Sequence, residues 1–383
     1  MAPLWRDEGA LRFLLQAFFL AGAILVAWYF IGNMVRELER IGLGIRFGFL
    51  RQEAGFGISE GIAYDPSDSY GRALWVGAVN TLRAVAAAIA CATVIGVSAG
   101  IARLSSNWLV RQLAAVYVEI FRNTPLLLQL LFWYSAVMLR LPPVRDSVTL
   151  FDSVFINQRG LYLPRIYAGE SFGVWRFFVL FGLIAAAAVY LYRRNRLRRS
   201  DRPGYAGLEA IAAFALIVAA GWLFVPGAPL AAEIPRLDRF NFTGGVHLSP
   251  EYGGLLLGLS VYTGAFIAEV VRGGVQAVDK GQREAAAALG LTPRQAVRLV
   301  ILPQALRTIV PPLTSQYLNL AKNSSLAVAI GYPDLFNVGT TVMNQTGQTI
   351  PVMAIIIAIY LSLSLIASAF MNWYNRAIGA KGR

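Results

Sequence analysis

Charged side chains lie inside the long apolar stretches of this sequence. Lys322 lies within one stretch, and the pattern Glu-x-x-Arg occurs near the ends of two helical segments, at Glu119–Arg122 and Glu269–Arg272. In a bilayer, a charge at the centre of a helix costs about 2.5–3.5 kcal/mol and usually faces a cavity or a partner group. No nucleophile beside a base accompanies these residues. Their types and spacing therefore predict ion pairing and ligand attraction rather than bond-breaking chemistry.

Lys322 shares a predicted helix face with three other polar residues. Ser315, Asn319 and Lys322 follow spacings of four and three residues, and Ser325 continues the same face. The sequence KNSS then offers a local break at which backbone groups can reach a ligand, as in transporter sites near the membrane centre. We expect this face to line a translocation path, with Lys322 attracting a substrate carboxylate. The alternative is a buried polar seam satisfied by neighbouring helices, of which a pair between Lys322 and an acid of the same subunit is one form.

The two Glu-x-x-Arg motifs have two interpretations. A carboxylate and a guanidinium three residues apart can pair on one face of a helix. Glu119 with Arg122, and Glu269 with Arg272, then form charge pairs at the membrane surface, where exposed pairs stabilise a protein little. Alternatively, the four side chains form a gate network that breaks when the cytoplasmic mouth of the path opens.

A small two-sided helix is predicted between two of the apolar stretches. It runs from Arg283 to Leu289, with alanines and Leu289 available for close packing. Gly290 is placed to end it, and Thr292 with Pro293 is placed to start a second helix as cap and first residue. Such a compact pair, exposed between two spans, is predicted to be bound by another protein.

Composition places the chain in a bilayer. It is 57% hydrophobic and 14% charged, with a mean hydropathy of +0.56, whereas a soluble domain has about 25% charged residues. The clustered charges leave long apolar stretches, and about 20 apolar residues cross a bilayer as a helix. The sequence therefore predicts an all-α polytopic membrane protein. Its eight predicted spans are Phe13–Ile31, Leu74–Ile101, Thr124–Leu139, Trp175–Tyr192, Gly207–Val225, Tyr252–Val271, Thr308–Ile330 and Pro351–Phe370.

The third and seventh spans are expected to be irregular. Thr124 and Pro125 are typical of a helix start, with a hydroxyl cap and proline at the first helical position. The stretch NWLVRQLAAVYVEIFRN (107–123) before them is predicted to form an interfacial helix that leads into the span.

Arginine-rich segments give the orientation. A net charge of +13 is compatible with nucleic-acid binding, but the arginines flank apolar segments, as in YRRNRLRRSDR (192–202). That placement is typical of cytoplasmic loops, so nucleic acid is not an expected partner. Alternation of the spans then predicts that both termini, Arg103–Arg111 and Lys280–Val300 are cytoplasmic. The first span is interpreted as retained, because no small-residue cleavage site follows it.

Residue content excludes several kinds of site. The single cysteine, Cys91, gives no disulfide framework, and the single histidine, His247, excludes a histidine cluster for a metal. None of Lys280, Lys322 and Lys381 is followed by Ser or Thr, so the chain lacks a P-loop for ATP. We therefore expect a non-catalytic chain without its own cofactor or metal.

One motif resembles a known family. The stretch EAAAALG (284–290), followed after nine residues by VILP (300–303), resembles the EAA loop of bacterial ABC import permeases, although the family usually has isoleucine at Val300. The resemblance implies a type I ABC importer permease core whose coupling loop (273–303) docks as a short helix in a cleft of a separate ATPase. Glu284 would reach a basic group there, and ATP and Mg would belong to the ATPase dimer. The implied coupling residues are Glu284, Ala285, Ala286, Gly290, Leu302 and Pro303.

Further stretches narrow the resemblance to permeases for polar and general amino acids. They are GAVNTLRAV (77–85), VEIFRNTPLLLQLLFWY (118–134), FIAEVVRGGVQAVDKGQREAA (266–286) and LPQALRTIVPPLTSQYLNLAKNSSLAVAIG (302–331). The similar regions are about 73–139 and 252–375. The chain then divides into an N-terminal span with an external loop (1–72), a first core part (73–139), an insertion with two extra spans (140–251) and a second core part (252–383).

The resemblance implies one permease subunit of an ATP-driven amino-acid importer in the bacterial inner membrane. Its implied partners are the ATPase dimer, a periplasmic amino-acid-binding protein and a second permease chain. A heterodimer is favoured over a homodimer, because the long systems pair two related but different subunits. An ion-coupled secondary amino-acid transporter is the alternative, and it would explain the intramembrane charges but would leave the cytosolic helix pair without a purpose. A membrane enzyme would need a catalytic cluster, and a passive channel would conduct without an ATPase.

Overall fold

The computed structural model describes residues 8–40, 46–200 and 205–380, and helices make up most of them. This confirms the predicted helical membrane architecture. The helices are α1 Glu8–Arg40, α2 Tyr70–Ala102, α3 Trp108–Asn123, α4 Leu126–Phe132, α5 Phe172–Ser200, α6 Ala206–Phe224, α7 Pro250–Gln276, α8 Lys280–Ala288, α9 Pro293–Ala296, α10 Leu302–Asn323, α11 Leu335–Thr346 and α12 Thr349–Ala380.

Within the described ranges, seven helical segments are long and apolar enough to cross a membrane. They are Leu14–Glu37, Tyr70–Ala102, Phe172–Leu197, Ala206–Phe224, Pro250–Gln276, Pro293–Ile330 and Thr349–Trp373. The third predicted span corresponds to the shorter segment Leu126–Arg140, which is α4 continued by a π-helical turn and a three-ten turn. Fifteen residues extend about 22 Å as a helix, less than the roughly 30 Å of a bilayer's apolar core.

The predicted capping role of Thr124 is wrong. Its hydroxyl donates back to the carbonyl of Ile120 at 2.8 Å, and Pro125 occupies the cap position of α4 without a side-chain hydrogen bond. Gln129 instead stabilises this junction, because its side-chain amide donates to the carbonyls of Phe121 and Thr124 at 2.9 and 3.0 Å. The chain is therefore extended at Thr124, between α3 and α4. The side chain that stabilises this junction comes from Gln129 on the following helix, α4.

The chain divides into two compact units, one of 1–134 with 254–383 and one of 135–253. In the first unit, α2 and α7 pack closely because glycines face α7. A Cβ atom at Gly96 would lie 2.5 Å from Ile267, and one at Gly100 would lie 2.8 Å from the carbonyl oxygen of Ala268. Two small residues four positions apart, as in GVSAG (96–100), permit this close approach of two helices.

A second contact in this unit joins α2, α11 and α12. Leu74, Leu335, Val352 and other apolar side chains form one buried cluster there. The loop before α2 also enters it through Phe49, which is 6% exposed. These helices provide a rigid base for the segment that follows Lys322.

The second unit adds β-structure that hydropathy does not predict. Its strands are β1 Val148–Leu150, β2 Val154–Asn157, β3 Gly160–Leu163, β4 Arg165–Ala168, β5 Leu230–Glu233, β6 Arg236–Asp238, β7 Asn241–Thr243 and β8 Val246–Leu248. They form one antiparallel sheet in the order β1-β2-β3-β8 and two pairs, β4-β5 and β6-β7. The strands are three or four residues long, too short to give a clear alternating pattern.

His247 is exposed and lies beside the small aromatic core of this sheet. Its ring stacks on Tyr162 with centroids 4.6 Å apart, and a ring nitrogen lies 2.8 Å from the carbonyl oxygen of Arg159. Phe155 and Phe242 complete the core. The histidine therefore has a packing role.

The two extra helices, α5 and α6, form a hairpin within this unit. A Cβ atom at Gly221 would lie 2.5 Å from the side chain of Phe178, so the backbone of α6 packs directly against this side chain of α5. Arg193 on α5 and Glu209 on α6 form an ion pair. Many apolar side chains of the two helices are exposed, as Leu223 and Phe224 show at 79% and 80%.

Candidate functional site

The coupling loop is built from two helices with complete local caps. The side chain of Asp279 accepts from the amide of Gly281 at 2.6 Å and starts α8. At the other end, the amide of Leu291 donates to Ala286 at 3.1 Å, and that of Gly290 donates to Ala287 at 2.9 Å. With Gly290 at φ +74°, this is a Schellman ending. The predicted terminating role of Gly290 is confirmed.

The second helix, α9, begins as the sequence predicts. Thr292 caps it, Pro293 is its first residue, and the side chain of Gln295 accepts from the amide of Thr292 at 2.9 Å to complete a capping box. The chain then passes through a π-helical turn, Val297–Ile301, before α10 begins at Leu302.

The outer surface of the coupling loop carries the residues that the EAA resemblance identifies. Glu284, Ala285 and Gly290 are exposed, and so are Leu302 and Pro303 at the start of α10. Ala286 is 2% exposed and packs inside the pair. Leu289 is 80% exposed, so within this chain it is not used for packing and is available for contact with another protein.

The coupling loop is tied to the spans on both sides of it. Arg283 donates to the carbonyl of Val275 at 3.1 Å, and Gln304 on α10 donates to Gln282 on α8 at 3.1 Å. Gly274 faces α10 so closely that a Cβ atom would lie 2.3 Å from Ile309. These contacts connect α8 to both α7 and α10.

The polar residues of the seventh predicted span lie as the helical spacing predicts. Ser315, Asn319 and Lys322 are exposed on α10, and Ser325 is half-buried on the three-ten segment Ser324–Ile330 that follows. The break predicted at KNSS (322–325) lies at Asn323, the last residue of α10.

Lys322 and Ser325 open onto a cavity of about 430 Å³. Ser364 is polar, but most other walls are apolar, and none of the described residues that line the cavity is acidic. A same-subunit acid beside Lys322, the alternative weighed from the sequence, is therefore absent from these walls. The other lining residues are Phe336, Met353, Ile356, Ile357, Tyr360 and Leu361.

Only one of the two Glu-x-x-Arg motifs forms a charge pair. The carboxylate of Glu269 accepts hydrogen bonds from Arg272 on the same helix and from Arg103 at the end of α2. Arg103 was not among the predicted gate residues, although its place in a basic loop was a signal. These three side chains form a charge cluster that joins α2 to α7.

The predicted pairing of Glu119 with Arg122 is wrong. Glu119 accepts from the side chain of Asn123 at 3.2 Å, and the guanidinium of Arg122 lies over the ring of Phe266, 5.2 Å from its centroid. An aromatic face attracts a guanidinium, and this one is supplied by α7, so the local spacing is overridden by a contact between helices.

A buried polar network near α11 was missed. Asp334, 1% exposed between two spans, caps α11 by accepting from the amide of Asn337 at 2.8 Å. Asn80 on α2 donates to the carbonyls of Glu60 and Pro333, both at 2.9 Å. Burial raises the pKa of Asp334 to about 7.

Across the described residues, no group of three or more His, Cys, Asp or Glu side chains is placed to hold a metal ion. The charged groups that do meet, such as Glu269 with its arginines, are already paired with one another.

Comparison with known proteins gives a consistent family. The family described as binding-protein-dependent transport system inner membrane component matches residues 92–380. The general L-amino acid transport system permease protein AapQ of Rhizobium johnstonii is 46% identical over 351 residues, which are 91% of this chain and 87% of AapQ. YhdX of Escherichia coli, assigned to an amino-acid ABC transporter as a permease protein, is 46% identical over 357 residues, 92% of this chain and 90% of YhdX. The glutamate/glutamine/aspartate/asparagine transport system permease protein BztB of Rhodobacter capsulatus is 37% identical over 398 residues, 95% of this chain and 92% of BztB.

Proposed function

Because this chain belongs to the inner membrane components of binding-protein-dependent transport systems, we propose that it is a permease subunit of an ATP-driven amino-acid importer. The similarity to AapQ and BztB over nearly the whole chain supports amino acids as the cargo. The exposed, capped coupling loop is the observation that supports a separate ATPase subunit. A chain without a P-loop can be driven by ATP only if another polypeptide hydrolyses the ATP.

The coupling loop is the proposed docking site for one subunit of an ATPase dimer. Glu284 and Leu289 are exposed on it, so a cleft with a basic group and an apolar wall would match this surface. ATP and Mg bind to that partner. When the ATPase closes, it moves α8, and the hydrogen bonds of Arg283 and Gln282 pass the motion to α7 and α10.

Two ATPase subunits require two coupling loops, so a second permease chain completes the complex. We favour a related but different subunit over a second copy. A periplasmic binding protein delivers the amino acid to the outer mouth. The arginine-rich segments support a chain in a bacterial inner membrane with both termini in the cytoplasm, because positive charge collects on that side.

The exposed polar face of α10 is the proposed wall of the translocation path. Ser315 and Asn319 lead along the face to Lys322, whose ammonium group attracts the carboxylate that every amino acid carries. Beyond it, the apolar cavity between α10 and α12 accommodates a side chain. A cation without an acidic neighbour in the cavity wall is available for a substrate anion.

The charge cluster of Glu269, Arg103 and Arg272 is the proposed cytoplasmic gate. It holds the end of α2 against α7, so the two helices separate only if these contacts break. Glu119 and Arg122 are near the same mouth but are held by Asn123 and Phe266, so their part in the gate is secondary.

Uptake by the complete complex in proteoliposomes tests the proposed coupling. Glu284→Arg is expected to abolish ATP-dependent amino-acid uptake while the subunit still inserts and assembles. Lys280→Ala, which removes an exposed charge from the same helix, is the matched control and is expected to leave uptake within about twofold of the wild type. Normal uptake by Glu284→Arg would contradict the coupling assignment, and uptake driven by an ion gradient without ATP would favour a secondary transporter.

A further inference from the structure

Tyr360 connects the Lys322 cavity to a buried carboxylate. Its side chain lines the cavity beside Lys322 and Ser325. Its hydroxyl donates to Oδ2 of Asp334 at 3.2 Å, while Oδ1 of Asp334 accepts from the amide of Asn337 at 2.8 Å. The carboxylate is therefore used on one side as a helix cap and on the other as the partner of a cavity residue.

Four structural elements meet at this hydroxyl. The hydroxyls of Thr81 on α2 and Ser324 on the three-ten segment also face the oxygen of Tyr360 on α12. Thr81 in turn accepts from the amide of Leu335 at 3.0 Å. Ser324 is the first residue after the break that ends α10, so the contact lies two residues from Lys322.

The carboxylate has little freedom to leave this position. A Cβ atom on Gly77 of α2 would lie 3.1 Å from the carbonyl oxygen of Asp334 and 3.0 Å from Cα of Leu335, so the backbone of the 334–335 corner rests directly on α2. Asn80 holds the preceding residue through the carbonyl of Pro333. Because the backbone at 334–335 is held in place, the hydrogen bond from Tyr360 to the Asp334 carboxylate holds the Tyr360 side chain in place as well.

We propose that Asp334 is a positioning residue for the substrate cavity, acting through the Tyr360 hydroxyl to hold the α12 wall against the break after Lys322. This inference rests on the proposed function, because it assigns a transport role to residues around the cavity. Asp334 touches no substrate itself. Its loss is expected to change how tightly the cavity holds an amino acid rather than whether the ATPase is coupled.

The proposal predicts a dependence on pH near neutrality. Burial raises the pKa of Asp334 to about 7, and the ionised carboxylate is the stronger acceptor for the Tyr360 hydroxyl. The titratable group that faces this carboxylate is Tyr360 on α12, while α2 and the three-ten segment present the uncharged Thr81 and Ser324. The concentration for half-maximal uptake is therefore expected to rise as the pH falls through about 7.

The test uses the complete complex in proteoliposomes and a ¹⁴C-labelled mixture of L-amino acids as the probe. Asp334→Asn keeps the helix cap and the shape, and Tyr360→Phe removes only the hydroxyl. Each is expected to raise the concentration for half-maximal uptake about tenfold, the effect of one hydrogen bond to a charged group, with the maximal rate nearly unchanged. The double variant is expected to be no worse than either single variant, and Asp334→Asn is expected to lose the pH dependence.

Tyr332→Phe is the matched control. Its buried hydroxyl donates to the carbonyl of Asn80 at 3.3 Å but does not line the cavity, so half-saturation is expected to stay at the wild-type value. Wild-type half-saturation in Asp334→Asn and Tyr360→Phe, additive effects in the double variant, or failure of both variants to assemble would overturn the proposal. Failure of the wild type to take up any amino acid with ATP would instead refute the proposed function.

Discussion

Removing the charge of Glu269 is the sharpest test of the proposed gate. Its carboxylate accepts from Arg103 and Arg272, and its side chain is 27% exposed. Glu269→Gln keeps the size of the side chain but weakens both contacts. We expect the closed form of the cytoplasmic mouth to lose stability relative to the open form.

The size of the loss follows from the contacts and their exposure. A hydrogen bond to a charged group contributes about 1.5–3 kcal/mol, and two such contacts are weakened. The three side chains are between 17% and 28% exposed, so water screens part of the charge that remains. A net loss of about 2 kcal/mol corresponds to a change of about 30-fold in the closing equilibrium.

The assay is ATP-dependent uptake by the complete complex in proteoliposomes, with the binding protein present. Uptake by Glu269→Gln is expected to fall by up to about 30-fold. Glu119→Gln makes the same chemical change near the same mouth, but this residue contacts Asn123 on its own helix, so a change below about twofold is expected. Equal uptake by the two variants would refute the gate, and a loss of assembled complex in Glu269→Gln alone would assign the cluster a purely structural role.

Four further outcomes are expected. Gly290→Ala places a side chain at φ +74° and should destabilise the end of α8 by about 1–2 kcal/mol, which lowers coupled ATP hydrolysis but not membrane insertion. Gly100→Leu should prevent assembly, because Cβ alone would lie 2.8 Å from a carbonyl oxygen of α7; normal yield on gel filtration would contradict this packing. Lys322→Ala should raise the substrate concentration for half-maximal uptake while ATPase docking, measured by co-purification, is retained. Because the folded chain raises the pKa of Asp334 to about 7 from 3.8, its contribution to stability is present below about pH 4 and is lost as the pH rises through about 7; the thermal midpoint of Asp334→Asn should lack this dependence.

Local capping explains why the coupling loop could be predicted so closely. Thr292, Pro293 and Gly290 start or end a helix through contacts with residues no more than two helical turns away. Their roles therefore follow from residue type alone. Lys322 and its helical face were predictable for the same reason, since the helical repeat fixes which residues align.

Contacts between distant parts of the chain explain what was missed. Arg122 does not pair with Glu119, because its guanidinium lies over an aromatic ring of α7. Arg103 pairs with Glu269, although the two residues are 166 positions apart in the sequence. Asp334 depends on Tyr360, and the network around it draws on α2, more than 250 positions earlier. The short strands of the second unit likewise depend on pairing partners rather than on their own pattern.

The π-helical turn at Val297–Ile301 has a consequence for how force enters the membrane. A π turn contains one residue more than an α turn, so removal of one residue there would wind the segment into a regular α-helix. The helices that face the motor would then swing by about 100° around the axis of the following span and move about 1.5 Å toward it. The additional residue thus sets the direction, around the axis of the following span, from which the motor acts on the chain. A one-residue deletion would keep every docking side chain but would turn these side chains away from the motor.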